Sequence, residues 1–496
     1  MDFETIALIL NVILLSLVIG GTVLLVWRLK LGSKNKVLLF VLFILYWMAP
    51  LMCREYTGQM HIHQGIGDGG SLLWVPLTVY GFAGLLWRPL TDVICYKLKS
   101  RKNVIYISLT IQFLTLWPMF VWPGSFACNI IQSIGTGIGA SGIGLFNLMF
   151  SEQEHHRKVF ATVSILALPP LIAEFITSCI EAVLCGLVPE HGIEGELIDP
   201  SVYLHYLKWL WLVAIIFIIC SFVITKFIKE DKQTLFVLEK KKEVVSSQHD
   251  GWFIALMCLA GMCFIFVRWV TAGPSSVTQL IYIAVGSGEV VTAPFSAHIM
   301  PDVTIEEVKF FEGYLSLMFA FGQLVGAIIS GIALSRRHNN TKWILVLIGG
   351  IIWILYLVAN VQVINVHMFF WTNILNGIGF GLILPVFIGV LINKRFKKVK
   401  ILTPLGLFNT ALALGIIAAS LFNNIIKGPI YDFHFSPITS VYDKFDPINM
   451  LVNYTTAGVA ILMVVLFGIS FAIHKKHPPK VQNLGRKFAM ASEMEI

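Results

Sequence analysis

Two arginines stand where charge is expensive. Arg268 lies inside the apolar run WFIALMCLAGMCFIFVRWVTAG (252–273), and Arg54 inside VLLFVLFILYWMAPLMCREYT (37–57). Each is followed three residues on by a threonine, Thr57 or Thr271. A guanidinium is permanently charged and shaped to hold two phosphate or carboxylate oxygens at once. Placing one in the middle of a spanning helix costs about 2.5–3.5 kcal/mol, so it usually faces a cavity or a partner. Two arginines at matching depth point to a duplicated architecture with one shared cavity, in which Arg54 and Arg268 bind a small anionic substrate. The competing reading puts both near the outer headgroups, snorkelling toward water.

Two further pairs carry charge in apolar surroundings. Glu174 and Glu181 lie seven residues apart in VFATVSILALPPLIAEFITSCIEAV (159–183), on one helix face. Pro169 and Pro170 precede them and favour a bend. Glu174 suits proton coupling or cavity contact, or a fixed counter-ion to an arginine in the empty state; Glu181 has the outer rim as its alternative. Arg88 and Asp92 are one turn apart near a helix end and read as a structural ion pair or gate latch.

Other chemistries fare worse. GASG (139–142) is similar to a short motif of intramembrane serine proteases, with Ser141 as nucleophile, but no histidine lies at depth to act as base. His61 and His63 form an H-x-H without a third ligand, so no metal site is expected. The eight cysteines lie almost wholly in apolar runs and read as small buried side chains. No Walker loop is present, which excludes ATP-driven work by this chain, and no cofactor or enzymatic activity is expected.

The elements that must position these residues follow from composition. Hydrophobic residues make up 57% of 496 positions and charged ones 13%, with a mean hydropathy of +0.80. Soluble domains run at roughly 25% charged, so the chain reads as an all-α, polytopic membrane protein. Spans are expected at 6–27, 37–57, 71–95, 103–122, 126–150, 159–186, 205–228, 252–273, 307–334, 342–360, 366–392, 401–426 and 451–473. The first is preceded by Asp2 and Glu4 rather than a basic region, which favours a retained helix over a cleaved signal.

Alternate loops gather most of the 36 lysines and arginines, among them Lys97, Lys99, Arg101 and Lys102, while acids such as Glu190, Glu194 and Asp199 lie opposite. The positive-inside rule then places the N-terminus outside and the C-terminus in the cytoplasm of a multi-pass cell-membrane protein. The net charge of +8 belongs to these loops and to lipid headgroups, not to a nucleic-acid surface. Five segments result. Residues 1–30 form an extra N-terminal helix, 31–228 and 251–475 are six-helix domains, 229–250 is a polar Lys-rich cytoplasmic linker, and 476–496 is a disordered tail. IGTGIG and NGIGFG repeat three glycines, Gly135, Gly137 and Gly139 against Gly377, Gly379 and Gly381, at a constant offset of 242.

Six plus six helices with a basic central loop resemble the major facilitator superfamily carrying one extra N-terminal helix. GLLWRPLTDVICYKLKSRKNV (84–104) looks like that superfamily's loop between its second and third helices. Asp92 would be the acidic member and Lys97, Lys99, Arg101 and Lys102 the basic cluster; Val93 stands where a basic residue is usual, and the usual Gly is absent. An arginine in the first and another in the seventh helix is similar to the organophosphate–phosphate antiporters, and VRWVTAGPSS (267–276) looks like their seventh helix. The resemblance implies a secondary carrier of glycerol phosphate or a sugar phosphate that works by alternating access; exchange and proton symport are both open, and a monomer is expected. Those carriers also use a cavity histidine and lysine; here the thirteen histidines lie in loops or at helix ends. A proton-coupled carrier or exporter of neutral or cationic solutes is the alternative.

Overall fold

A computed structural model describes residues 34–63, 75–152, 159–186, 200–230, 243–245, 248–272, 305–335, 340–361, 366–391, 394–396, 404–434 and 441–476, plus six helical positions between 12 and 23. The remainder of the expected first span, most of the linker and the tail beyond 476 lie outside the described residues.

Helices dominate because long apolar runs have no other way to satisfy their backbone polar groups in hydrocarbon. Before the linker come α1 (Lys34–His63), α2 (Val75–Leu98), α3 (Arg101–Val121), α4 (Phe126–Ala140), α5 (Ile143–Glu152), α6 (Val159–Gly186) and α7 (Pro200–Phe227). After it come α8 (Gln248–Ala272), α9 (Ile305–Ser335), α10 (Thr341–Val361), α11 (Val366–Leu391), α12 (Pro404–His434) and α13 (Val441–Lys476). Among the described residues, ten helices are long and apolar enough to cross a bilayer, α4 and α5 together making one of them. The chain is a polytopic helical membrane protein.

The break between α4 and α5 falls at Ser141–Gly142, inside the expected single span 126–150. The Ser141 hydroxyl donates to the carbonyls of Gly137, at 2.7 Å, and Gly84, at 3.3 Å. A Cβ at Gly142 would stand 2.7 Å from the Tyr46 ring, so the small residues of GASG admit close neighbours. Ser141 is thus part of a turn and of the α2–α4 contact.

At the linker end the ties are polar. Lys99 takes a left-handed conformation (φ 49°) that closes α2, and the Ser100 side chain then caps α3 by accepting from the Asn103 amide at 3.2 Å. The Glu230 carboxylate accepts from the Ser100 hydroxyl at 2.7 Å and from the Arg101 amide, placing negative charge at the α3 N-terminus. The linker is not wholly free of structure. Its β1 (Glu243–Val245) pairs in parallel with β2 (Lys394–Phe396), with Val244 opposite Arg395.

Each set of helices has its own aromatic core. Phe43 of α1 stacks on Phe146 of α5 at 4.6 Å, and Phe264 of α8 stacks on Phe380 of α11 at 4.8 Å. The two sets meet where α2 packs on α12 and α6 packs on α9 and α11. Counted from the start of each set, with α4 and α5 as one span, second meets fifth and fifth meets second. That is the relation a pseudo-twofold axis along the membrane normal produces.

Candidate functional site

The site is built where α1, α6, α8, α9 and α11 approach one another. Arg54 lies twenty residues into α1 and Arg268 twenty residues into α8, about 30 Å along each axis at 1.5 Å per residue. The matching depth read from the sequence therefore carries over to the helices themselves. Both arginines lie toward the end of the bundle away from the linker, beyond the midpoint expected for a substrate site.

Neither side chain escapes to the lipid face. Arg54 is 6% exposed and Arg268 4%, whereas snorkelling requires open guanidinium groups. The Arg54 guanidinium lies over the ring of Trp269, 5.3 Å from its centroid. A cation–π contact of this kind contributes about 0.5–2 kcal/mol. Trp269 also packs on Tyr80 of α2, with centroids 5.6 Å apart. One tryptophan thus connects Arg54 to the helix that bears Arg268.

Arg268 is enclosed more fully. Its Nη2 donates to Oε1 of Glu174 in α6, an ion pair that crosses from one set of helices to the other. Its Nη1 donates to the carbonyl of Ala272, four residues further along α8. The rings of Phe319 and Phe380 lie 4.4 and 5.7 Å from the guanidinium carbon. Phenyl walls exclude water and strengthen the attraction between the two charges.

Behind Arg268 runs a buried polar chain. Thr271 donates to the Asn376 side-chain oxygen at 3.2 Å, and Asn376 donates to Asn373 at 3.1 Å. Trp353 donates to the Asn376 carbonyl at 2.9 Å. These bonds fix the end of α8 against α10 and α11, and so fix the direction in which Arg268 points.

Arg88 and Asp92 occupy a separate place. Nη1 of Arg88 donates to the backbone carbonyl of Asn409 in α12, so this buried arginine ties α2 to the other set of helices. Arg88, Asp92, Ser141 and Asn409 line one small cavity toward the linker end. Arg268 and Glu174 pair directly, Arg54 reaches the helix of Arg268 through Trp269, and Arg88 and Asp92 line a different cavity. The side chains of Glu181, His61 and His63 lie outside the described residues. Among the described residues, no three His, Cys, Asp or Glu side chains gather as a metal-binding group.

Sequence reasoning missed Trp269, Phe319 and Phe380 as walls. Trp269 carried one usable signal, its position next to Arg268. The two phenylalanines carried none, because a ring on a lipid-facing stripe and a ring against a guanidinium read alike.

The fold is similar to that of solved membrane transporters with which the chain shares little sequence. A bacterial homologue of the iron transporter ferroportin, solved in an outward-facing state, superposes with a TM-score of 0.56 at 13% identity, covering 89% of this chain and 100% of its own. The same protein soaked with iron gives 0.57 at 11% identity, covering 89% and 100%. The fucose:proton symporter FucP of E. coli, in a variant form, gives 0.54 at 13% identity, covering 88% and 99%. No family model matches the chain, and no curated protein matches it.

Proposed function

We propose that the protein is a secondary transporter that moves a small organic anion across the cell membrane by alternating access, with Arg54 and Arg268 as the anion-binding residues. A sugar phosphate or glycerol phosphate is the preferred cargo class. The observation that carries this reading is the pair of buried arginines at equal depth on the first helix of each six-helix set. Permanent cations kept from both lipid and water are costly, and an anion that spends part of the cycle beside them accounts for the cost. The chain acts as a monomer, with the linker and the C-terminal tail in the cytoplasm.

The fold does not choose the cargo. One structural neighbour is described as a homologue of an iron transporter and another as a fucose:proton symporter, so the same bundle serves unlike solutes. The choice has to come from the residues in the cleft.

A second reading is favoured by one contact. Arg268 is already neutralised by Glu174, so the arginines can be structural while Glu174 serves a proton-coupled carrier of neutral or cationic solutes. Thermal stabilisation of the purified protein by inorganic phosphate, glycerol phosphate, hexose phosphates and their uncharged parents separates the two. A ligand that binds only the folded state raises the melting temperature by mass action. Stabilisation by the phosphates alone, lost in Arg54→Gln and Arg268→Gln variants that still fold, supports the anion carrier. Stabilisation by the uncharged parents sinks it in favour of the second reading.

A further inference from the structure

The Glu174 carboxylate occupies the face of Arg268 that an incoming anion would need. It comes from α6, on the opposite side of the interface, and Arg268 is its hydrogen-bonded partner. The phenyl walls of Phe319 and Phe380 leave the guanidinium little other open surface. An arriving dianion must therefore displace a carboxylate that is only 14% exposed and forms no second salt bridge among the described residues. A displaced carboxylate left ionised between the helices would lie next to the dianion, and the two like charges would repel.

We propose that anion binding at Arg268 is coupled to protonation of Glu174, so that the carrier takes up a proton with each anion. This rests on the anion-carrier reading above. The exchange balances. Arg268 gives up its hydrogen bond to the Glu174 carboxylate and forms one to the phosphate oxygen, and Glu174 takes a proton from water to become the neutral acid. Release reverses both steps, and the carboxylate returns to the guanidinium.

Among the described side chains, few groups compete for that proton. The described side chains of α9 and α11, which pack on α6, include no titratable group. α1 brings Tyr46, Cys53 and Arg54, with Lys34 and Lys36 at its linker end. α8 brings Cys258, Cys263 and Arg268 itself, and α5, on the remaining side, has no charged side chain among those described. Among the described side chains of these helices and α6, Glu174 is the carboxylate near Arg268.

The test measures proton uptake by the purified full-length protein in weakly buffered detergent solution. Glycerol phosphate or glucose 6-phosphate is added at about pH 8, where a phosphate monoester whose second pKa is about 6 is already a dianion. The expected result is uptake of about one proton per bound anion, with affinity falling about tenfold per pH unit, because linkage is reciprocal. Glu174→Gln should bind the same anion without proton uptake and with an affinity flat in pH. Binding that needs Arg268 but takes up no proton, or unchanged uptake in Glu174→Gln, overturns the coupling and leaves the anion carrier standing. Failure of every anion to bind removes both.

Discussion

Among the partners of Arg268 are a carboxylate, a backbone carbonyl and two phenyl faces, three chemical kinds that each answer a different need of a buried guanidinium. The carboxylate balances the charge, the carbonyl occupies a second donor, and the rings complement the flat cationic face. Removing one member of a buried pair leaves the other charge without compensation, which costs about 3–5 kcal/mol, while removing both costs far less. Arg268→Gln and Glu174→Gln should therefore each lower the melting temperature markedly. The double variant should melt above the value that two independent losses would give, since residues in direct contact couple. Thermal unfolding of the four proteins in one detergent measures this. Purely additive losses would show that the two charges do not depend on each other.

At the scale of the element, close approach governs. A Cβ on Gly377 would stand 2.1 Å from the Phe319 carbonyl oxygen, and one on Gly381 2.2 Å from that of Gln323, so α11 lies backbone to backbone on α9. Gly137 of α4 meets the Tyr80 carbonyl of α2 at 2.3 Å in the same manner. Contacts thus match Gly137 with Gly377, an offset of 240, while the sequence repeat aligns Gly135 with Gly377 at 242. The glycines alternate between two neighbouring helices, and a pattern of period two fits equally well when slid by one step. Which helix each glycine faces is tertiary information that identity and spacing do not contain. The spans that fall on described residues were legible, because hydrocarbon demands long apolar runs, and so was the depth of Arg54 and Arg268, because depth is counted along a helix. The turn at Ser141–Gly142 was not, since four small residues serve packing and breaking alike. Gly377→Ala should destabilise by about 1–3 kcal/mol by forcing α9 and α11 apart. Gly458→Ala, in α13 with nothing within 4 Å of the added Cβ, should be neutral or stabilise by up to about 1 kcal/mol through helix propensity. Melting temperatures of the two variants decide, and equal effects would mean that the α9–α11 contact tolerates a methyl group.

For the whole molecule, the arrangement of ties between the helix sets matters more than any one of them. Glu174–Arg268 joins the sets about 30 Å from the linker end of α8, while Arg88 reaches the carbonyl of Asn409, five residues into α12 and about 8 Å from its linker end. In the carrier proposed above, alternating access requires the two ends of the cleft to open in turn, so ties at opposite ends are expected to act on opposite gates. Arg88 is one turn from Asp92, which the sequence suggested as its latch partner, yet its hydrogen bond crosses to α12, where it can hold a gate shut. Breaking that bond should open the linker side and leave the far side unchanged. Ser141→Cys provides a reporter, because this 3% exposed residue lines the cavity beneath the Arg88 contact. Its labelling by a membrane-impermeant thiol reagent should rise severalfold when Arg88→Ala is added, and only with reagent on the cytoplasmic face. Adding Glu174→Gln instead should not raise labelling from that face. Labelling that stays low with Arg88→Ala would show that Arg88 does not hold the linker-side gate. Labelling from the opposite face would reverse the orientation that the basic loops imply.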